Sequence, residues 1–140
     1  MGYFKMNLFP IAFRNTSPQH WCEAFSGITG LGGREDYLKW CCENRLPNLK
    51  TWRETYFPEV IVCIGKTYLR YFAASFLDME RDVEHEVIED RELSWAINSQ
   101  GTLVVILPFM LNRYGLVKNN TIQKFGGRIA ELRHLAMGRR

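Results

Sequence analysis

Two unbroken apolar runs characterise this chain. Val60–Ile64, closed by Gly65, and Leu103–Leu107, closed by Pro108, contain only apolar residues. Runs of this length without alternation are typical of strands buried on both faces, as in a parallel sheet. The first run precedes a helical pattern near Thr67–Leu77, so strand, glycine turn and helix form half of a βαβ unit. The pattern therefore predicts an α/β fold.

Further strands and a charged segment complete the predicted sheet region. Tyr3–Leu8 alternates weakly and predicts a first strand. Glu92–Ile97 and Thr102–Leu107 flank the turn residues Asn98–Gly101 and predict a hairpin. The acidic segment Asp78–Glu92 predicts a charged loop or a frayed helix.

Helical periodicity fills most of the remaining chain. Ser17 and Pro18 are suited to the N-cap and first turn of a helix, and Pro47 should end a later helix and open the next one. The predicted helices lie at about His20–Phe25, Arg34–Asn44 and Leu49–Tyr56, with a last helix from Asn120 or Thr121 onward. Together with the strands they predict a three-layer α/β sandwich. Its small, mostly parallel sheet carries one antiparallel hairpin strand and has helices on both faces.

Composition narrows the class of protein. The chain has 140 residues, of which 46% are hydrophobic, and we expect a single domain over residues 1–140. No stretch of 18 apolar residues occurs, and Met1–Lys5 lacks the basic region and long apolar run that are typical of a secretory signal. We therefore expect an intracellular, cytoplasmic protein without a membrane span. The four cysteines form no Cys-x-x-Cys motif and the three histidines have no metal-ligand spacing. We therefore expect buried free thiols, no metal site and no cofactor.

Charge is divided unevenly along the chain. Asp78–Glu92 holds eight acids and two arginines, a local charge of −6, whereas Leu111–Arg140 holds seven Lys/Arg and one acid, a local charge of +6. The basic third could face the phosphates of a nucleic acid, or it could be an ordinary solvated helix face. The acidic segment could instead form a surface for a protein partner.

Three strand ends are the predicted places for a site. Each predicted buried strand runs into a loop, at Asn7–Pro10, at Gly65–Thr67 and at Pro108–Arg113. In open α/β sheets, ligands collect at the carboxyl ends of the strands. This rule locates the candidate site without identifying its ligand.

The same three segments resemble the uracil-DNA glycosylase superfamily, in particular its single-strand-selective members. Asn7-Leu8-Phe9-Pro10 is similar to the family's Asn-x-x-Pro segment, and Pro58–Gly65 is similar to its central strand and turn. Val104–Leu116 occupies the place of the last strand and its His-Pro-Ser loop. Order and spacing match over Tyr3 to about Leu135, which implies a uracil-DNA glycosylase-like fold.

The resemblance implies roles for individual residues. Asn7 would read the edge of a flipped base, because an amide both donates and accepts hydrogen bonds; alternatively it caps the turn before Phe9. Phe9 or Phe109 would stack on a base, or would simply fill the core. The residues implied in DNA contact are Asn112, Arg113, Lys118 and Lys124, and their alternative is ordinary surface charge.

Two departures from the family pattern shape the predicted function. The family's first strand, with the loop that positions the hydrolytic water, would lie before Met1, so the domain is expected to be N-terminally truncated. Pro108-Phe109 stands where His-Pro is expected. We therefore expect a DNA- or nucleobase-binding protein with impaired glycosidic hydrolysis, of the DNA-repair hydrolase class if active.

Two alternatives remain open. One is a non-catalytic protein-interaction module built on the same fold, and the other is a fragment of a longer, active glycosylase. Loss of a first strand would also leave one edge of the Tyr3–Leu8 strand unpaired, and such an edge invites self-association or a protein partner.

Overall fold

The computed structural model divides the chain into two compact units, Met1–Asn48 and Leu49–Arg140. The single-domain interpretation of residues 1–140 stays a prediction. The structure describes residues 5–11, 18–79, 82–110 and 115–138.

The first unit is helical in its described part. Its short helices are α1 (Pro18–Trp21), a π-helical turn (Cys22–Ser26), α2 (Gly27–Thr29), α3 (Arg34–Trp40) and a second π-helical turn (Cys41–Arg45). Trp21, Tyr37 and Cys41 form its buried cluster, against which Phe9 and Phe25 pack. The aromatic rings of this cluster therefore act as core residues.

The second unit contains a four-stranded sheet. Its elements are α4 (Leu46–Tyr56, which begins in the last residues of the first unit), β1 (Val60–Ile64), a 3₁₀ turn (Lys66–Tyr68), α5 (Leu69–Phe76), β2 (Glu84–Ile88), β3 (Arg91–Ile97), β4 (Leu103–Leu107) and α6 (Asn119–Met137). The strand order is β1-β4-β3-β2. The α/β class and the β3–β4 hairpin around Asn98–Gly101 are confirmed.

The prediction of a mostly parallel sheet is wrong. Only β1 and β4 pair in parallel, whereas β4 with β3 and β3 with β2 pair antiparallel. The difference arises in the acidic segment, which was predicted as a loop or frayed helix and instead supplies β2. Its glutamates are tolerated on a strand because Glu86 and the turn residue Glu89 each pair with a basic residue of α6.

One hydrophobic cluster of the second unit lies between the sheet and α6. Leu103, Val105 and Leu107 of β4 form one cluster with Phe125 and Leu132 of α6. All five residues of β4 are buried, so both faces of this central strand are covered. The apolar run at Leu103–Leu107 therefore has the environment that the pattern predicts.

The same prediction fails for β1, which is an edge strand. Val62 and Ile64 are 51% and 41% exposed, although Cys63 between them is buried. Val62 and Ile64 lie beside Val105 and Leu107 in the parallel register, so they share the sheet face that carries α6. An apolar run thus does not distinguish a central strand from an edge strand.

Two local predictions, at Tyr3–Leu8 and at Pro47, also need correction. Lys5–Leu8 is not a strand; the backbone oxygens of Asn7 and Leu8 accept hydrogen bonds from the Arg45 guanidinium at 2.6 and 2.9 Å instead of from a neighbouring strand. Tyr3 and Phe4 lie outside the described residues. Pro47 opens a helix as predicted, since it is the second residue of α4. It does not interrupt the helical turns before it, because α4 follows directly on a π-helical turn, whose hydrogen-bonding pattern differs from the one that a proline would break.

The structure bears on two predictions made from composition, that the cysteines are buried free thiols and that the chain has no membrane span. Cys41 and Cys63 are buried, and burial raises the pKa of both thiols. Cys22 is exposed, which corrects the expectation that all four thiols are buried. Among the helices in the described ranges, none combines the length and the apolar character that crossing a membrane would need.

Candidate functional site

The carboxyl ends of the two parallel strands meet at one edge of the sheet. The Gly65 N–H, directly after β1, donates to the Leu107 carbonyl at the end of β4 at 2.7 Å. This bond places the loop after β1 beside the loop that begins with Pro108 and Phe109. Two of the three predicted strand-end loops are therefore neighbours, as the general rule for α/β sheets requires.

Gly65 and Phe109 fit together closely. Gly65 adopts φ +111°, a backbone conformation that side chains rarely allow. A Cβ added to Gly65 would lie 2.6 Å from the Cζ atom of the Phe109 ring. The sequence therefore needs glycine here for two reasons, the backbone angle and the space taken by the aromatic ring.

Three aromatic rings line this edge, and Tyr68, Tyr71 and Phe109 are here called the aromatic cluster. The rings of Phe109 and Tyr68 meet edge to face, with centroids 6.1 Å apart and planes at 87°. The rings of Tyr68 and Tyr71 lie 6.3 Å apart. Phe109 is 43% exposed, so its ring is held by Tyr68 and Gly65 while part of it remains accessible to a ligand.

The aromatic cluster has a positive surrounding. Lys66 and Arg70 are exposed on the same loop and helix, and the Arg70 guanidinium lies 4.6 Å from the centre of the Tyr71 ring. No acid occurs in the sequence from Gly65 to Leu77. Aromatic rings with nearby cations suit ligands that present a flat ring and a negative charge, as nucleotides do.

Part of the charge separation seen in the sequence is neutralised by ion pairs among the described residues of the second unit. Arg128 of α6 pairs with Glu86 at 2.8 Å, Arg133 pairs with Glu59 at 2.6 Å, and Lys124 pairs with Glu89. The paired carboxylates raise the pKa of Arg128. Residues of the acidic segment and of the basic helix α6 thus pair with each other. These pairs weaken two interpretations of the charge pattern: that α6 is a phosphate-binding face, and that the acidic segment is a surface for a protein partner.

Glu89 links the β2–β3 turn to the start of α6. Its carboxylate accepts hydrogen bonds from Lys124, from the Thr121 hydroxyl and from the Asn120 amide at 3.3 Å. The bonds from Lys124 and Thr121 lower the pKa of Glu89. A carboxylate at a helix N-terminus is also favoured by the helix dipole, so this contact compensates the positive φ of 59° at Glu89.

Asn7 and Phe9, the base-binding candidates of the first unit, have structural partners. Arg45 holds the backbone oxygen of Asn7, and the residue itself is exposed. Phe9 is half-buried against the cluster of Trp21, Tyr37 and Cys41, which is the contact expected for a core residue. The base-reading role of Asn7 and the stacking role of Phe9 stay predictions.

A hydrogen bond to Tyr37 holds Ile11 against the helices of the first unit. The Ile11 N–H donates to the Tyr37 hydroxyl at 3.0 Å. Burial is the largest cause that raises the pKa of Tyr37 to about 12, so the hydroxyl stays protonated at neutral pH. The segment from Asn7 to Ile11 is thus tied to the helices of its unit by Arg45 and Tyr37.

The predicted DNA-contacting residues divide into three cases. Asn112 and Arg113 lie outside the described residues. Lys118 is exposed immediately before α6 and its predicted contact with phosphate remains untested. Lys124 already pairs with Glu89, so a phosphate would have to compete with that carboxylate.

Sequence reasoning selected Phe109 and the loop Gly65–Thr67, which contains Lys66, but missed Tyr68, Tyr71 and Arg70. The signal was present in Gly65-Lys66-Thr67-Tyr68-Leu69-Arg70-Tyr71. Two tyrosines three residues apart share one side of a helical turn, and two cations lie beside them.

Among the described residues, no group of three His, Cys, Asp or Glu side chains is placed to hold a metal ion.

Comparison of the chain with protein-family models, with curated proteins and with solved structures finds no match.

Proposed function

We propose that this chain binds single-stranded DNA or a free nucleobase in the manner of a uracil-DNA glycosylase-like protein, with glycosidic hydrolysis impaired. The observation that carries the proposal is Phe109, a partly exposed ring supported by Gly65 and Tyr68 at the carboxyl ends of β1 and β4. The ring is the stacking surface for one unpaired base.

The geometry around Phe109 supports stacking by a base. The edge-to-face contact with Tyr68 and the close approach to Gly65 restrict the ring, so that little rotational freedom is lost when a base stacks on it. Stacking tolerates any base, because every base has an aromatic face. Preference for one base would have to come from polar groups and not from the ring.

The cations beside the cluster support recognition of a nucleotide strand. Lys66 and Arg70 are exposed and lie on the same loop and helix as Tyr68 and Tyr71. They suit the phosphates on either side of a stacked base. On the basic face of α6, a phosphate would have to compete with the carboxylates that already pair with Lys124, Arg128 and Arg133.

Phe109 also accounts for the proposed loss of hydrolysis. Cleavage of a glycosidic bond needs donors or cations that stabilise the negative charge developing on the departing base. A phenyl ring offers neither a hydrogen-bond donor nor a positive charge. In the resemblance, Pro108-Phe109 stands where His-Pro is expected, so the chain keeps a surface for the base and lacks this donor.

The proposal is tested by binding of a fluorescently labelled, uracil-containing single-stranded oligonucleotide. Phe109→Ala should weaken binding by about 5- to 150-fold, because stacking on one aromatic ring contributes roughly 1–3 kcal/mol. Phe109→Trp should retain binding. The matched control is Val87→Ala, which shortens an exposed apolar residue on β2, the far edge strand of the same sheet.

Equal affinity of the native chain and Phe109→Ala, at a salt concentration where the native chain binds, would refute the stacking role. An equal loss with Val87→Ala would show that the effect is not specific to the aromatic cluster.

A further inference from the structure

The aromatic cluster continues beyond Phe109 as a row of rings. The Tyr68 ring contacts both other rings, with its centroid 6.1 Å from that of Phe109 and 6.3 Å from that of Tyr71. Aromatic rings at these distances are in contact, so the row leads from the loop after β4 to α5. A base stacked on Phe109 occupies the first ring of this row, and Tyr71 forms its other end.

Arg70 covers the Tyr71 end of the row. Its guanidinium lies over the Tyr71 ring, with the Cζ atom 4.6 Å from the ring centroid, and one of its N–H groups donates to the Tyr71 hydroxyl. Both contacts restrict a side chain that otherwise has many rotamers. Tyr71 is half-buried whereas Arg70 is exposed, so the ring supports the guanidinium and the guanidinium forms the outer surface.

A guanidinium held in this way is a surface on which a base can stack. The group is planar and weakly hydrated, and unpaired bases stack on arginine planes as well as on aromatic rings. The N–H donors lie in the plane of the guanidinium, so a base on its face leaves them available for a phosphate. Arg70 can therefore hold a base together with a neighbouring phosphate of the same strand.

We propose that the site binds two bases of one nucleic-acid strand, the first on Phe109 and the second on the Arg70 guanidinium that Tyr71 supports. The ligand is then an oligonucleotide rather than a free nucleobase, because a free nucleobase would use Phe109 alone. This inference rests on the proposed function and adds a second base-binding position to the same site.

Trinucleotides with equal charge and different numbers of bases test the second position. One carries three uracils, and the others carry one uracil and two abasic sugars on the same backbone. They are used unlabelled, as competitors of the labelled oligonucleotide. The native chain should bind the three-uracil ligand about 5- to 150-fold more tightly, the contribution of stacking one further base. A site for a single base would give a ratio of about threefold or less, because three uracils offer it only three choices.

Arg70→Lys tests the residue assigned to the second base. Lysine keeps the positive charge and lacks the planar group, so the ratio between the two kinds of ligand should fall to about threefold or less. The matched control is Arg128→Lys, the same substitution on α6, where the native side chain pairs with Glu86. This control should keep the native ratio. Arg70 is exposed, so Arg70→Lys should retain the native circular dichroism spectrum.

Three results would overturn the second base position. They are a ratio of about threefold or less for the native chain, a native ratio that Arg70→Lys leaves unchanged, and an equal fall of the ratio with Arg128→Lys. The proposed function is decided separately, by the effect of Phe109→Ala on the affinity for the longer oligonucleotide. Loss of affinity in Phe109→Ala together with a low native ratio would keep the stacking role of Phe109 and refute the role of Arg70.

Discussion

Gly65→Ala is the substitution that most directly probes the arrangement of the candidate site. The added methyl group would lie 2.6 Å from the Phe109 ring and would sit on a residue with φ +111°. The ring is partly exposed and can swing outward, whereas the backbone of Gly65 is held by its bond to Leu107. We therefore expect the substitution to strain the backbone and to displace the ring.

The magnitude follows from these two effects. A residue held in a disfavoured backbone region costs about 1–3 kcal/mol, and loss of the edge-to-face contact between Phe109 and Tyr68 costs about 0.5–1.5 kcal/mol. Gly65→Ala should therefore lower the free energy of unfolding by about 1.5–4.5 kcal/mol. In a Phe109→Ala background only the backbone cost of about 1–3 kcal/mol should remain.

Urea unfolding of the native chain, both single variants and the double variant measures this difference as a coupling energy. Oligonucleotide binding by Gly65→Ala should fall as it does for Phe109→Ala, because the ring leaves its place. An unfolding free energy unchanged by Gly65→Ala, or full binding by that variant, would refute the reasoning.

Further expectations concern stability and activity. Because the pKa of Glu89 is lowered in the folded chain, its stabilising contribution is present above the pKa of the unfolded chain and is lost as pH falls through the folded pKa. Thermal unfolding should thus show Glu89→Gln less stable than the native chain near neutral pH, with a difference that shrinks below about pH 4; a constant difference would contradict the shift. Phe125→Ala should cost about 3–5 kcal/mol in urea unfolding because the ring is buried, whereas Leu135→Ala, on the exposed side of the same helix, should cost under about 0.5 kcal/mol. In a single-turnover assay on uracil-containing single-stranded DNA, uracil release should be far slower than a normal enzymatic rate; robust release that Asn7→Ala abolishes would overturn the proposed impairment.

The sequence predicted the elements that local patterns specify. Leu103–Leu107 and Glu92–Ile97 lie where apolar runs and the turn at Asn98–Gly101 place them, because a short turn fixes its own strand pairing. β1 was located correctly, yet its exposed side was not foreseen. Strand order is set by long-range pairing, and an apolar run such as Val60–Ile64 carries no information about which neighbours it has.

The charge pattern of the sequence showed where the acidic and basic segments lie, but it did not show that they pair with each other. The acids of Glu84–Ile88 suggested a loop or frayed helix, because several glutamates in a row discourage strand formation in isolation. In the folded chain Glu86 meets Arg128 and Glu89 meets Lys124. The two blocks of opposite charge are about 40 residues apart in sequence, so their compensation appears only once the sheet brings them together.

The candidate site was predicted in part. The strand-end rule selected Gly65 and Phe109, and the structure places them in contact. The strand-end rule did not select Tyr68 and Tyr71, because tyrosines in a short amphipathic helix are more often core residues. Only the observed ring geometry shows that they support a partly exposed phenylalanine.

NMR of a chain labelled with ¹³C in its phenylalanine rings tests the central claim most directly. Phe109→Ala identifies the Phe109 signals, and the buried Phe125 ring serves as the internal reference. On addition of a uracil-containing single-stranded oligonucleotide, the Phe109 signals should shift strongly through the ring current of the stacked base, while those of Phe125 stay in place. Unchanged Phe109 signals under conditions where the oligonucleotide is bound would contradict the account.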